Sequence, residues 1–309
     1  MTSSPSSSVA DEIREGLSKS PKHLSPAFLY DDHGSELFDR ITQLPEYYLA
    51  RKETQILERE AEELLEGVEE IVELGSGYSR KTQVLLNALE QAEGSRYVAL
   101  DVSQSAIEAS APRLIADHPT LDIEGYVANF EETLDIVEHR GRRMVVLLGS
   151  TLGNFKREDR ISFLHRVKTM LEPEDSFLVG VDLVKDVEIL EAAYDDSAGL
   201  AAEFGLNLIK VLNRDFDGNL PIDAFRYRAF FDHDNSWIDM RIKATRAVDA
   251  RLEKLDFDMH FDKGEEMRTE VSKKFTRATF EADLNAAGLE LDHWHTDDKA
   301  WFGLAQARV

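Results

Sequence analysis

Short apolar runs alternate with amphipathic segments through the middle of this chain, and this alternation constrains the fold more than any other feature. The apolar runs lie at 70–74, 97–102, 123–130, 144–149 and 177–184. Segments with helical spacing lie between them, at 81–91, at 103–118, in a short acidic stretch from residue 131 onward, and at 159–171. Strands that alternate with helices of this length form right-handed βαβ units with parallel strands. Because the runs are apolar throughout, we expect helices on both faces of the sheet.

The C-terminal segment completes this sheet. Residues 279–287 have helical spacing, and Gly288 is placed to end that helix in a left-handed conformation. Two strand-like runs, 289–296 and 301–307, follow and are separated by the polar residues 297–299, which predicts an antiparallel hairpin. We therefore predict an α/β fold with the doubly wound, seven-stranded sheet of methyltransferases and a second, smaller α+β domain.

The segments that do not follow the alternation predict the second domain. We expect residues 11–53 and 185–274 to form a discontinuous substrate-binding domain. Residues 54–184 and 275–309 would then form the methyltransferase domain. The serine-rich residues 1–10 have neither a basic nor an apolar region, so they predict a disordered tail and not a signal peptide.

The charge balance and the cysteine count restrict the partners. The chain has 36 Lys and Arg against 60 Asp and Glu, a net charge of −24. Such a surface repels phosphates, so we expect neither nucleic acid nor a membrane as partner. No apolar run approaches the roughly 18–20 residues that span a bilayer. The absence of cysteine excludes disulfides and suits a reducing compartment. We expect a cytoplasmic monomer that acts on a small molecule.

A glycine loop follows the first predicted strand, where residues 73–77 read ELGSG. Glycines allow a sharp turn and a close approach to a ligand, whose polar atoms meet free amides at the helix start. The third glycine of the dinucleotide fingerprint is missing, because Arg80 takes its place. Asp101 ends the second strand, where a carboxylate can accept both hydroxyls of a ribose. This combination favours S-adenosylmethionine over a nicotinamide cofactor. The alternative is a tight turn in which Asp101 caps the next helix.

Asn129 and Phe130 end the third predicted strand, at the place where the adenine of such a cofactor lies. An amide there can hydrogen-bond the base edge, and a phenyl ring can pack on its face. The alternative is a turn asparagine beside a core phenylalanine.

Three other patterns are interpreted as structural. Residues 149–153 read GSTLG and resemble a nucleophile elbow, but Thr151 stands at the nucleophile position, so we reject a serine hydrolase. His293 and His295 share one face of a strand and could ligate a metal. Most such pairs are ordinary strand residues and methyl transfer to nitrogen needs no metal, so we expect no metal site. The acidic run 60–70 is interpreted as a solvated helix face.

Several longer strings are shared with one family. They are FLYDDHGSELF at 28–38, ITQLPEYY at 41–48, VELGSG at 72–77, LGSTLGN at 148–154, DLVKD at 182–186, AYDD at 193–196 and GEEMRTEVSKKF at 264–275. In these strings the chain resembles the histidine-specific methyltransferases. Those enzymes convert L-histidine to its Nα-trimethyl betaine, hercynine, in the first step of ergothioneine biosynthesis. The resemblance covers nearly the whole chain after the serine-rich start.

The resemblance implies an S-adenosylmethionine-dependent enzyme that methylates the α-amine of L-histidine three times. It assigns the methyl donor to Gly75, Lys81, Asp101, Asn129 and Phe130. Many relatives have Asp where Asn129 stands, but an amide oxygen can still accept a hydrogen bond from the adenine amino group.

For the amino acid, the resemblance assigns Tyr47, Asn154 and Tyr194 to the α-amino and carboxylate end, with Asn154 and Tyr47 as the candidate catalytic residues. Asn154 lies just past the fourth predicted strand, at the sheet edge where ligands bind in open α/β folds. The alternative for Asn154 is a cap of the following helix. The alternative for Tyr47 is a packing residue.

The resemblance assigns Glu270 and Ser272 to the imidazole, and Tyr30 and Met240 to further pocket positions. Glu270 and Ser272 alternate with Val271, so on a strand they face the same side. A carboxylate and a hydroxyl side by side can satisfy both imidazole nitrogens. The alternative is an exposed strand edge in an acidic protein.

Two other functions remain as hypotheses at this point. The first is the same chemistry on another amino acid, such as a tryptophan derivative. Glu270 and Met240 argue against it, because an indole has one N–H and needs more room. The second is a non-catalytic binding protein of the same fold, which the intact glycine loop, Asp101 and Asn154 disfavour.

Overall fold

The computed structural model describes residues 7–79, 81–91, 94–130, 134 and 136–309. Among these residues the α-helices are α1 (Ser7–Ser18), α2 (Asp32–Thr42), α3 (Tyr48–Leu64), α4 (Thr82–Leu89), α5 (Gln104–Asp117), α6 (Arg157–Lys168), α7 (Val187–Tyr194), α8 (Leu200–Asp215) and α9 (Arg277–Ala286). The strands are β1 (Lys22–His23), β2 (Glu70–Leu74), β3 (Arg96–Asp101), β4 (Asp122–Val127), β5 (Arg143–Leu147), β6 (Ser176–Asp182), β7 (Phe225–Asp232), β8 (Trp237–Ala244), β9 (Val248–Leu252), β10 (Phe257–Phe261), β11 (Glu266–Lys273), β12 (Glu290–Thr296) and β13 (Phe302–Arg308).

Among the described residues, seven strands form one sheet in the order β12-β13-β6-β5-β2-β3-β4. The strands β6, β5, β2, β3 and β4 are parallel. β13 is antiparallel to β6, and β12 is antiparallel to β13. This arrangement confirms the predicted α/β fold, including the C-terminal hairpin.

Four of the parallel strands are buried along their whole length, as runs that are apolar on both faces require. β4 differs because it is the edge strand, and Val127 at its end is 57% exposed. β4 ends at Val127 and not at the predicted residue 130. Asn129 and Phe130 therefore lie in the loop past its carboxyl end.

Local signals set several helix ends. The Ser103 side chain caps α5 and accepts a hydrogen bond from the backbone N–H of Ala106 at 3.2 Å. Thr276 and Thr279 form a reciprocal capping box at the start of α9. Gly288 has a φ of +76° just after α9, which confirms its predicted role as the helix terminator.

The described residues divide into two compact units. The four-stranded unit comprises the residues up to Tyr47 together with Asp186–Val271, and carries the sheet β1-β11-β8-β7 and the pair β10-β9. The seven-stranded unit comprises Tyr48–Lys185 and Ser272–Val309. The predicted boundary between residues 53 and 54 falls inside α3. The domain boundaries stay a prediction.

The predicted N-terminal tail is wrong for residues 7–10, which form the first turn of α1. Ala10, Ile13 and Leu17 recur at helical spacing and are buried, so this segment has an apolar face to pack. Residues 1–6 lie outside the described residues. So do Arg80 and residues 131–133 and 135 of the helical stretch predicted from residue 131 onward.

The interpretation of residues 60–70 as a solvated helix face is wrong at its end. Glu70 begins β2 and is fully buried. Its carboxylate lies 2.5 Å from the guanidinium of Arg96 and 2.5 Å from that of Arg143, each at the start of a neighbouring strand. The burial is tolerated because the charge is paired on both oxygens.

Candidate active site

The loop after β2 has two glycines in the left-handed backbone region, with φ of +72° at Gly75 and +50° at Gly77. Glycine adopts this region without strain. A Cβ on Gly75 would lie 3.3 Å from Cε1 of Phe130, whereas a Cβ on Gly77 would meet no described atom within 4 Å. The loop therefore packs tightly against Phe130 on one side and faces open space at Gly77.

Asp101, the last residue of β3, connects this loop to the next helix. Its buried carboxylate accepts hydrogen bonds from the backbone N–H of Gly77 at 2.7 Å and of Ser103 at 2.9 Å. A helix cap alone does not account for the bond to Gly77, and the cap of α5 is Ser103 itself. Each carboxylate oxygen accepts about two hydrogen bonds, so both oxygens have capacity for a further hydroxyl donor.

Phe130 lies beside this loop, and Asn129 precedes it. The Phe130 ring is 9% exposed and packs edge-to-face on Phe163, with 6.0 Å between the ring centroids. This contact agrees with the alternative that Phe130 is a core residue. The approach of the same ring to Gly75 also makes it one wall of the glycine loop.

Lys81 is held by a buried carboxylate that sequence reasoning missed. Glu53 of α3 is fully buried, forms an ion pair with Lys81 and accepts a hydrogen bond from the backbone N–H of Gly149 at 2.9 Å. Gly180 makes room for it, because a Cβ there would overlap Oε1 of Glu53. Glu53 therefore links Lys81 to the loop that follows β5. No local pattern marks Glu53, since its partners are distant in sequence.

Glu73, the first residue of the ELGSG string, is buried at the last position but one of β2. Burial raises its pKa to about 7, although hydrogen bonds from Tyr97 at 2.5 Å and Thr82 at 2.7 Å, and the charge of Lys81, oppose the shift. The ELGSG string contains Glu73, but the glycine motif in it predicts a ligand-binding turn and does not predict that this carboxylate is buried.

This shift predicts a pH dependence of stability. The folded-state pKa of Glu73 lies above its ordinary value, so the folded protein binds more protons than the unfolded chain between about pH 4.5 and pH 7. The free energy of unfolding therefore falls as pH rises through this window and is constant above it. At about 1.4 kcal/mol per pKa unit, the full loss by pH 8 is about 3.5 kcal/mol, and most of it falls above pH 5.

We expect Glu73→Gln to remove this contribution. Urea unfolding of wild type and variant at about pH 5 and about pH 8 measures it, with the wild type losing about 3 kcal/mol relative to the variant. A difference between the two proteins that is the same at both pH values would contradict the assignment.

Asn154 lies at the end of the 3₁₀ turn Thr151–Asn154, just past the carboxyl end of β5. The preceding Ser150 has a left-handed backbone with φ of +61°, and its hydroxyl accepts a hydrogen bond from the backbone N–H of Asp182 at 2.9 Å. The N-cap of α6 is Lys156. The alternative that Asn154 caps this helix is therefore wrong.

In the four-stranded unit, edge-to-face contacts connect three of the predicted residues. Tyr30 contacts Phe38 and Phe204, with 5.5 and 5.2 Å between ring centroids. Tyr47 contacts Phe38 and Tyr194, each at 6.0 Å. Tyr47 is buried, so it is a packing residue as well as a site candidate. The structure thus brings Tyr30, Tyr47 and Tyr194 into one aromatic cluster.

Met240 belongs to an adjoining apolar cluster on which Tyr194 and Tyr227 pack. The Tyr227 hydroxyl donates to the backbone carbonyl of Tyr194 at 3.0 Å. Burial raises the pKa of Tyr227 well above its ordinary value, and the negative charge of Glu270 adds to the effect. Tyr227 therefore keeps its proton in the neighbourhood of Glu270. The sequence did not predict a role for Tyr227, because its surroundings in β7 show only the alternating pattern of an ordinary strand.

Glu270 and Ser272 lie on β11 and are 7% and 3% exposed. The alternative of an exposed strand edge is wrong, because both side chains are buried. The Ser272 hydroxyl accepts a hydrogen bond from Nζ of Lys274 at 2.8 Å. Glu270 is in the four-stranded unit, and Ser272 begins the second segment of the seven-stranded unit.

The histidine pair considered for metal binding lies on β12. The rings of His293 and His295 are stacked with 6.0 Å between centroids, and Nδ1 of His295 lies 3.4 Å from the Glu60 carboxylate. Within the described part of the chain, no group of three or more His, Asp or Glu side chains is arranged to hold a metal ion.

Comparison with known proteins identifies the family. The family model described as "Histidine-specific methyltransferase, SAM-dependent" matches residues 9–309. This chain belongs to the histidine-specific methyltransferases. It is 42% identical over 299 residues to Histidine N-alpha-methyltransferase of Mycolicibacterium smegmatis, a match that covers 96% of this chain and 93% of that protein. It is 35% identical over 201 residues to Ergothioneine biosynthesis protein 1 of Neurospora crassa, which covers 62% of this chain and 23% of that protein.

A solved structure supports the fold of this family member. An S-adenosylmethionine-dependent methyltransferase from Clostridium acetobutylicum matches it with a TM-score of 0.51 and 12% identity, covering 89% of this chain and 98% of that one. At this identity the likeness shows the fold alone. Membership of the family makes S-adenosylmethionine the methyl donor. The residues fit it, since Asp101 has acceptor capacity and the loop faces open space at Gly77. None of the helices in the described residues is both long and apolar enough to cross a membrane.

Proposed function

We propose that this histidine-specific methyltransferase transfers three methyl groups in succession to the α-amine of L-histidine. The product is hercynine, and the reaction is the first step of ergothioneine biosynthesis. The observation that carries the proposal is the 42% identity to a histidine N-alpha-methyltransferase over 96% of this chain. The match to an ergothioneine biosynthesis protein supports the pathway.

The direct test is incubation of the protein with S-adenosylmethionine and a panel of amino acids, followed by mass spectrometry. We expect histidine to gain one, two and then three methyl groups. Methylation of tryptophan in preference to histidine would support the alternative substrate. The absence of methylated product from every amino acid would overturn the proposal.

We propose that Gly75, Lys81, Asp101, Asn129 and Phe130 hold the methyl donor. When bound, S-adenosylmethionine would supply a methyl group on a sulfonium sulfur, whose carbon a free amine can attack so that the C–N bond forms as the S–C bond breaks and the thioether leaves. Asp101 accepts the ribose hydroxyls with the oxygen capacity that its two backbone partners leave. Phe130 packs on the adenine face, and the Asn129 amide bonds the base edge. Lys81, fixed by its ion pair with Glu53, places a positive charge at the same loop.

We propose that Tyr47, Asn154 and Tyr194 hold the α-amino and carboxylate end of histidine, with Asn154 and Tyr47 acting on the amine. The reaction needs an unprotonated amine whose lone pair is aimed at the methyl group. An amide and a phenol can orient the amine without charge. A carboxylate beside the amine would raise its pKa and hold the proton.

Replacement of Asn154 by alanine tests this assignment. We expect Asn154→Ala to lower kcat for histidine about tenfold, which corresponds to one neutral hydrogen bond of ~1.5 kcal/mol. The affinity for S-adenosylmethionine, measured by calorimetry, should stay within about twofold of wild type. Lys156→Ala is the matched control, because Lys156 follows the same turn and makes no side-chain cap. A collapse of cofactor affinity in Asn154→Ala would contradict the role.

We propose that Glu270 and Ser272 bind the imidazole, with Met240 and Tyr30 at further pocket positions. Glu270 is buried and accepts the ring N–H, and the nearby Tyr227 stays neutral because burial and Glu270 raise its pKa. Ser272, two residues along the same strand, completes the bonding of the second ring nitrogen. An indole has no acceptor nitrogen for this second position.

We also propose that the enzyme is a cytoplasmic monomer. The lack of cysteine suits a reducing compartment. Light scattering after size-exclusion chromatography and localisation of a tagged chain test the two halves of this proposal separately.

A further inference from the structure

A buried network of charges surrounds Asp182, the last residue of β6. The Asp182 carboxylate is fully buried and accepts hydrogen bonds from the Tyr48 hydroxyl at 2.8 Å, from Nζ of Lys185 at 2.6 Å and from Nζ of Lys274 at 2.8 Å. Burial by itself raises the pKa of Asp182, but the charges of Lys274 and Lys185 outweigh it and lower that pKa. One ionised carboxylate therefore holds two ammonium groups inside the seven-stranded unit.

One of these ammonium groups also reaches Ser272. Lys274 is 1% exposed, and its Nζ donates to the Ser272 hydroxyl at 2.8 Å. An ammonium group has three hydrogens and no lone pair, so the direction of this bond is determined and Ser272 is the acceptor. The single hydrogen of the Ser272 hydroxyl is then directed away from Lys274. Hydrogen bonds in a chain polarise one another, so this hydroxyl is a stronger donor and a weaker acceptor.

We propose that Lys274 is a positioning residue that sets substrate specificity by making Ser272 a hydrogen-bond donor. The inference rests on the proposed contacts of Glu270 and Ser272 with the imidazole. Glu270 accepts from the ring N–H, and Ser272 donates to the lone pair of the other ring nitrogen. Together they recognise a neutral ring with one donor and one acceptor, which phenyl and indole rings lack. The positive charge of Lys274 further disfavours an imidazolium.

The second ammonium group provides a matched comparison. Lys185 binds the same carboxylate, but its other partners are the Tyr48 hydroxyl at 2.7 Å and the backbone carbonyl of Leu183. Removal of either lysine leaves Asp182 with one ammonium group and Tyr48, so neither variant leaves a buried carboxylate unpaired. Lys274→Met and Lys185→Met therefore each remove one ammonium partner of Asp182, and of the two changes Lys274→Met is the one that removes the Lys274 hydrogen bond to Ser272.

The experiment is a double-mutant cycle on kcat/KM for histidine and phenylalanine, with Lys274→Met, Ser272→Ala and the two combined. We expect Lys274→Met to lower kcat/KM for histidine about tenfold and to leave phenylalanine within about twofold, which reduces discrimination. In the Ser272→Ala background, the further effect of Lys274→Met on histidine should be less than about twofold. Lys185→Met should keep the histidine-to-phenylalanine ratio of wild type.

The outcomes separate this inference from the proposed function. If Ser272→Ala leaves kcat/KM for histidine unchanged, the proposed imidazole contact of Ser272 is wrong. If Ser272→Ala lowers it but Lys274→Met does not, the role of Lys274 is overturned. Additive effects of the two changes, or an equal loss of discrimination in Lys185→Met, overturn it as well.

A substrate analogue tests the donor role without changing Lys274. β-(Pyrrol-3-yl)alanine keeps a ring N–H and has a C–H in place of the second nitrogen's lone pair. We expect the wild type to use it about tenfold less efficiently than histidine, and Ser272→Ala to reduce this difference. Equal use of the two substrates by the wild type would overturn the proposal.

Discussion

Replacing Asp101 by alanine is expected to lower the affinity for S-adenosylmethionine at least about 100-fold. The side chain loses two hydrogen bonds from ribose hydroxyls to a charged acceptor, at ~1.5–3 kcal/mol each, and ~3 kcal/mol corresponds to about 100-fold in Kd. The same change removes the buried acceptor of the Gly77 and Ser103 backbone N–H groups. The glycine loop therefore also loses its hydrogen bond to the last residue of β3. Calorimetric titration with S-adenosylmethionine measures the effect.

A control variant distinguishes the effect of losing the Asp101 carboxylate from the effect of a disturbed N-terminus of α5. Ser103→Ala removes the side-chain cap of α5 but keeps the Ser103 backbone N–H that donates to Asp101. Loss of a cap costs about 1 kcal/mol of stability. We expect this variant to bind S-adenosylmethionine with an affinity within a few-fold of wild type. A folded Asp101→Ala protein with unchanged affinity would remove Asp101 from the site.

The second large effect is expected at Glu270. Glu270→Ala should lower kcat/KM for histidine by about 10–100-fold, the ~1.5–3 kcal/mol typical of a hydrogen bond to a charged group. A site whose buried polar groups need partners rejects apolar rings, because those groups are then left unpaired. Removal of the carboxylate removes this penalty too, so discrimination against phenylalanine and tryptophan should shrink. Steady-state kinetics with the three amino acids measure both consequences.

Glu266 provides the matched control for Glu270. It lies on the same strand, an even number of residues from Glu270 and so on the same face. Its carboxylate forms ion pairs with Arg228 and Arg241 at 2.9 and 3.0 Å. Glu266→Ala therefore removes a negative charge from β11 without removing the proposed imidazole acceptor. We expect its ratio of kcat/KM values among the three amino acids to match wild type. An equal loss on all three amino acids in Glu270→Ala would assign Glu270 to the fold or the chemistry, and not to recognition of the ring.

The periodicity of the sequence predicted most of the seven-stranded unit. β2 has the predicted bounds, and the terminator role of Gly288 after α9 is confirmed. These features depend on neighbours within a few positions, since strand and helix patterns repeat every two or 3.6 residues. The error at β4 has the same origin, because an apolar stretch does not show where an edge strand stops pairing.

The candidate site was predicted less completely. The glycine loop was predicted from a local motif after the first strand, and Asp101 from its place at the end of the second strand. The structure brings them into hydrogen-bond contact. Glu53 was missed as a partner of this loop, and the burial of Glu73 within the motif was not predicted. Glu53 lies in a charged helix, and its partners Lys81 and Gly149 are 28 and 96 positions away in the chain. A helix carboxylate has the same local pattern whether it is solvated or buried.

The sequence by itself determined the order of strands and helices, the position of the glycine loop and the family of this protein. Each of these depends on short-range periodicity or on strings of consecutive residues. Only the tertiary structure decided that Glu53, Glu70 and Asp182 are buried and that Ser272 accepts a hydrogen bond from Lys274. Burial and hydrogen-bond direction depend on which distant segments the fold brings within about 3 Å of each other, and no local pattern encodes that distance.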